Sequence, residues 1–178
     1  MARHPISMFQ PAHIIRLDRY FYALAALLAL TGWAAYLHIG PWAAFHNEWP
    51  FVAALFLLAI VAHHRGGASM RVPNLALLPA TIALVPMLQL AAGNIFFLGD
   101  AIMPVLYLLA LALAIAVGFC LDIRLGDRFP DSLAATLLAG ALISLVLASQ
   151  QWLEVTIFGI WVTDMRPGGR PYANLAQP

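Results

Sequence analysis

Lysine is absent from this sequence: the nine basic residues are all arginine, set against eight acidic ones, and the formal net charge is +1. A balance so near neutrality gives no electrostatic footprint for nucleic acid. Charged residues of both signs are scarce, at 10% of the chain. A soluble domain of this size carries about 25%, so an ordinary soluble fold is excluded. The single cysteine, Cys120, rules out a disulfide framework. It falls near the end of a predicted span and reads as a small apolar filler. Also missing are a P-loop, a dinucleotide fingerprint, a Gly-x-Ser-x-Gly elbow and zinc-ligand spacing. Nothing in the residues calls for a cofactor or a metal.

A cleavable leader is not indicated either. The first apolar run starts near Tyr20, behind a segment that holds Arg3, Arg16 and Arg19, and extends to about Ile39. A secretory h-region is shorter, about 7–15 residues. The run reads as a retained signal anchor.

What the chain has instead is long apolar blocks, 63% of it overall. They predict an all-α membrane protein with about five spans, over 20–39, 49–62, 72–92, 101–121 and 132–153. The organisation that follows is an N-terminal segment 1–19, a five-helix transmembrane region 20–153 and an Arg/Gly-rich segment 154–178. Asn47, Asp100 and Asp131 are expected as helix N-caps. Glu48 and Pro50 suit a first turn. The second span is short and needs tilt or local thinning. Pro79 and Pro86, seven residues apart, predict a kink in the third.

The arginines set the orientation. Arg3, Arg16 and Arg19 precede the first span, Arg65 and Arg71 lie between the second and third, and Arg124 and Arg128 between the fourth and fifth. The loops around Phe45 and Phe97 carry none. The N-terminus is therefore expected in the cytoplasm and the segment after the fifth span outside, which in a Gram-negative bacterium is the periplasm.

Arg166 and Arg170 depart from that bias, because both fall on the expected outer side. Between them lie Gly168 and Gly169. Paired glycines can turn successive N–H groups toward an anion. Guanidiniums add charge and forked donors matched to phosphate oxygens. A lipid-linked phosphate suits such a site, and a plain exposed turn is the competing reading. His46 beside Glu48 could form an acid–base pair, but capping, helix-dipole and interfacial roles account for Asn47, Glu48 and Trp49 without it. His63 and His64 are adjacent and do not face one way on a helix, so no metal site is assigned. Gln89, Asn94 and Asp100 are expected to cap or bridge helices.

The block Gly168-Gly169-Arg170-Pro171-Tyr172-Ala173-Asn174-Leu175-Ala176-Gln177-Pro178 resembles the Gly-Gly-Arg-Pro-x-x-Asn-Leu-x-Gln-Pro-Asn block of the PglL-type pilin-glycosylation ligases. These are O-oligosaccharyltransferases of the O-antigen ligase and polymerase superfamily. Phe45-His46-Asn47-Glu48-Trp49 is similar to that family's first outer loop, and Pro86-Met87-Leu88-Gln89 with 93–100 to its next outer turn. The family block continues past the point where this chain stops, and family members have about twice as many helices or more. The resemblance therefore implies the N-terminal part of a larger polytopic, metal-independent fold of the GT-C glycosyltransferase type, inactive by itself. The catalytic His and further arginines of the family lie in a later outer loop, so no catalytic residue is assigned here.

The implied activity is transfer of glycan from an undecaprenyl-diphosphate donor to Ser or Thr of a pilin-like protein, at the outer face of the bacterial inner membrane. In this reading Arg170, and less directly Arg166, binds the donor diphosphate, while Gly168, Gly169, Asn174 and Gln177 shape the site. The other readings are an O-antigen ligase or polymerase part, and a non-catalytic multi-span protein of transport or scaffolding.

Overall fold

A computed structural model describes residues 12–35, 45–66, 72–155, 157–159, 162 and 173. Among them the chain is all-helical, with no strand. The elements are α1 (Ala12–Ala34), α2 (Phe45–Gly66), α3 (Asn74–Ile82), α4 (Leu84–Ala91), α5 (Leu98–Leu125) and α6 (Arg128–Trp152).

Three stretches are long and apolar enough to cross a membrane: Asn74–Ala91, which joins α3 to α4, then Leu98–Leu125 and Arg128–Trp152. Their large side chains are left uncovered by protein. Leu88 is 66% exposed, Leu138 62% and Leu145 61%. A soluble monomer does not leave continuous apolar faces of this extent to water, whereas hydrocarbon is an equivalent surrounding for them.

The first two predicted spans are helical, the second over the whole of 49–62 and the first as far as Ala34. Helix α1 ends at Ala34, and its apolar part is Tyr20–Ala34. The last residues of the predicted span, 36–39, lie outside the described residues. In α2 the polar residues Asn47 and Glu48 at one end and His63 and His64 at the other confine the apolar stretch to 49–62.

The third span breaks where proline chemistry requires it. Pro86 has no N–H for the carbonyl of Ile82, and its ring crowds that carbonyl. Helix α3 accordingly stops at Ile82, Ala83 forms the joint, and α4 resumes at Leu84. The Ala83 N–H still donates to Pro79 O at 3.0 Å, so the interruption is one residue wide. Helix α4 then ends in a Schellman turn: Asn94 N–H donates to Gln89 O at 2.9 Å, Gly93 N–H to Leu90 O at 3.1 Å, and Gly93 takes φ +74°.

Helix α5 is the spine of the bundle. It packs against α2 on one side and against the α3–α4 pair on another, while α1 joins α2 to α6. Near the C-terminal end of α5, the buried Val117, Cys120 and Leu121 meet Ala62 of α2, with Tyr22 of α1 and Phe129 of α6 packed around them. At this end the Arg124 guanidinium donates to Ala62 O. Arg128 opens α6 nearby.

Away from this end, small residues let α1 sit close to its neighbours. A Cβ on Gly32 would lie 2.9 Å from Asn47 O and strike the Phe51 ring, and a Cβ on Gly140 would strike the Trp33 indole. Glycine at these positions lets α1 press against α2 and α6 at once. The Trp33 and Phe51 rings meet edge to face with centroids 5.0 Å apart.

All three predicted N-caps are corrected. Asn47 is the third residue of α2, not its cap. Helix α5 begins at Leu98 after Phe97, so Asp100 lies within its first turn. Helix α6 begins at Arg128 after Asp127, which leaves Asp131 in its first turn. A carboxylate in a first turn gains from the helix dipole as well as one at the cap does, so the sequence signal is shared between the two places.

Candidate functional site

Helix directions place four features at one end of the bundle: the last turn of α1, the first turn of α2, the first turns of α5 and the last turn of α6.

Asn47 ties the first two together. It is 7% exposed, and its Nδ2 donates to Gly32 O at 2.9 Å and to Ala35 O at 3.4 Å. The last four carbonyls of a helix have no partner within it. Thr31 O is taken by the Ala35 N–H at 2.9 Å, and Asn47 supplies the donor for Gly32 O. The side chain read from the sequence as a cap of its own helix closes the neighbouring helix instead.

Glu48 is paired with Tyr107, 59 residues away, whose hydroxyl donates to Oε2. The pair sits at one end of a groove of about 420 Å³ between α2 and α5, lined by Val52, Leu55, Phe56, Met103, Leu106 and Leu113 among others. All six are apolar. The His46 side chain lies outside the described residues, and with it the His46–Glu48 pair considered from sequence; among the described residues Glu48 is held by Tyr107. The His63 and His64 rings are 6.2 Å apart. Among the described residues no group of three or more His, Cys, Asp or Glu could hold a metal ion. Gln89, Asn94 and Asp100 are exposed, and their side chains form no bridge among the described residues.

The end of α6 carries a feature the sequence reading missed. Gln151 is 6% exposed, and its amide makes two bonds with one residue: Nε2 donates to Ala173 O at 2.8 Å, and the Ala173 N–H donates to Oε1 at 2.8 Å. The side chain imitates one rung of a β-ladder and fixes Ala173 to the helix end. A clue was available: two glutamines, Gln150 and Gln151, close an apolar helix, and buried amides require partners.

The chain leaves α6 from the same place. Val155 N–H donates to Gln150 O at 3.1 Å and Glu154 N–H to Gln151 O at 3.3 Å, a second Schellman turn. Here the left-handed position is held by Glu154, at φ +54°, where glycine is usual. Phe158 then lies in a groove with Leu142, Leu147 and Ala34. Glu154 and Ala173 are thus both tied to Gln151, one by backbone and one by side chain.

Glu154→Gly is expected to raise stability by about 1 kcal/mol, because the left-handed conformation costs a side-chain-bearing residue about 1–2 kcal/mol and glycine loses part of that gain in unfolded-state entropy. Equilibrium unfolding in detergent micelles measures it, and unchanged or lowered stability would contradict a relaxed role for this turn.

Arg166, Gly168, Gly169, Arg170, Asn174 and Gln177, the residues assigned from sequence to diphosphate binding and site shape, lie outside the described residues. Ala173 falls between Arg170 and Asn174 in the resemblance block, and it is the described residue that ties this block to the helices. Arg170 precedes it by three residues, and three extended residues span at most about 11 Å.

Comparison with protein-family models, with curated proteins and with solved structures finds no match to this chain.

Proposed function

We propose that this chain is the donor-side part of a membrane-embedded protein O-oligosaccharyltransferase, acting on glycan carried by undecaprenyl diphosphate, with a pilin-like protein as acceptor. The observation that carries the reading is the block 168–178, with Gly168-Gly169-Arg170-Pro171 followed by Asn174 and Gln177. The leaving group of such a transfer is a diphosphate. Guanidiniums at the membrane surface stabilise its developing charge without a metal.

Two structural features support it. Ala173, the described residue of that block, is held at the end of α6 by both bonds of the Gln151 amide. Arg124 and Arg128 stand at the opposite end of the bundle, as they would if that end faced the cytoplasm and the end of α6 faced outward. In this arrangement α1 and α2 complete a set of about five spans of a GT-C-type fold in the bacterial inner membrane. The N-terminus is cytoplasmic and the segment 154–178 periplasmic.

Reporter fusions after residue 178 test the arrangement. An alkaline phosphatase fusion is expected to be active and a green fluorescent protein fusion dark. The reverse pattern would put the arginines on the side away from the donor and remove the proposal.

A further inference from the structure

The groove between α2 and α5 has one polar end and an otherwise apolar wall. Glu48 lies in the first turn of α2, where the helix dipole favours its negative charge. Among the described residues the Tyr107 hydroxyl is its hydrogen-bond partner, and no arginine or histidine there pairs with it. A carboxylate offers about four lone-pair positions. One is used by Tyr107, which leaves acceptor capacity for a donor that enters from the groove.

The volume of the groove matches a single chain. Its volume of about 420 Å³ holds about 14 water-sized groups at about 30 Å³ each, the bulk of one acyl chain. Its walls continue from Glu48 and Tyr107 along Val52, Leu55 and Phe56 of α2 and along Leu106, Ala110 and Leu113 of α5. These two helices run parallel, because Glu48 meets Tyr107 and Ala62 meets Arg124. Phe56 is 58% exposed and Leu106 55%, so the groove opens sideways from the bundle, toward lipid, and not into a closed cavity.

We infer that this groove seats one acyl chain of a phospholipid whose headgroup bears a primary ammonium, with that ammonium donating to the Glu48 carboxylate beside Tyr107. Charge complementarity selects this occupant. An ammonium has three donors and no acceptor, whereas Glu48 is an acceptor. An anionic headgroup would bring like charge to Glu48, and a choline headgroup has no N–H to donate. The same repulsion acts against a polyprenyl diphosphate, so this seat is separate from a diphosphate site at Arg170. The inference rests on the helices lying in a bilayer and is independent of glycan transfer.

The test is thermal unfolding of the full chain in detergent micelles, titrated with dioleoyl phosphatidylethanolamine, phosphatidylcholine, phosphatidylglycerol or undecaprenyl phosphate. Phosphatidylethanolamine is expected to raise the unfolding temperature at about tenfold lower concentration than phosphatidylglycerol, a preference equivalent to about 1.4 kcal/mol. Glu48→Gln is expected to abolish the preference while leaving chain binding in place. Ala110→Trp, which fills the groove, is expected to abolish stabilisation by every lipid. Should Glu48→Gln fail to fold, Tyr107→Phe replaces it and is expected to reduce the preference. Equal stabilisation by phosphatidylglycerol, stronger stabilisation by undecaprenyl phosphate, or an ethanolamine preference that survives loss of the Glu48 charge would each overturn the inference.

Discussion

Asn47→Leu is expected to destabilise the helical bundle by about 2–4 kcal/mol in detergent micelles. The substitution keeps the side-chain size but removes the Nδ2 donor from Gly32 O and Ala35 O. An unsatisfied buried polar group costs about 1–3 kcal/mol, and in a bilayer no water is at hand to replace the partner. Asn94 is the natural control. Its side chain is exposed, and Asn94→Ala should change stability by less than about 0.5 kcal/mol. The informative variant is Asn47→Asp. Aspartate and asparagine cap a helix N-terminus equally well, so a local cap would survive the change. A carboxylate set against two carbonyl oxygens has no hydrogen to offer when ionised. Asn47→Asp should therefore cost at least as much as Asn47→Leu, and full tolerance of aspartate would return Asn47 to the capping role its sequence position suggests.

That contrast shows where sequence reading stops. The break at Ala83 was legible because Pro86 acts on Ile82, four residues away in the same helix. The long apolar helices were legible because span length follows from bilayer thickness. Caps were less so. Asp100 and Asp131 satisfy a local rule at either of two places, and the caps fall three and four residues earlier, at Phe97 and Asp127. Asn47, Glu48 and Gln151 obey rules that are not local at all. Their partners lie 15, 59 and 22 residues away. Sequence showed that each polar group near an apolar helix needed a partner, but the partner depended on how α1, α2, α5 and α6 pack.

Helix α1 makes the same point about packing. Its last turn is completed by a side chain from α2. Gly32 and Gly140 are unremarkable letters in Ala- and Leu-rich runs, and only the Trp33 and Phe51 rings lying against them reveal that a methyl group would not fit. Small residues at helix crossings carry much of the packing in membrane bundles, and they are the residues a hydropathy profile weighs least.

Arg170→Ala is expected to weaken binding of a polyprenyl-diphosphate glycan by about 10- to 150-fold. The figure follows from the loss of one charged hydrogen-bonding group, worth about 1.5–3 kcal/mol, at about 1.4 kcal/mol per factor of ten. Titration of the full chain in micelles with a short-chain polyprenyl diphosphate, followed by native mass spectrometry, gives the ratio directly. Arg170→Lys separates two contributions. It keeps the charge but loses the forked donors that match two phosphate oxygens, so partial recovery marks a bidentate contact and complete recovery a diffuse field. Arg166 lies outside the resemblance block, and its replacement should have the smaller effect. Gln151→Leu removes both bonds to Ala173 without touching an arginine. If the anchor matters because it holds the block beside α6, that variant should weaken diphosphate binding while Arg170 is intact, and Glu48→Gln should leave it unchanged. Wild-type affinity in Arg170→Ala would detach this segment from the donor altogether, whatever side of the membrane it occupies.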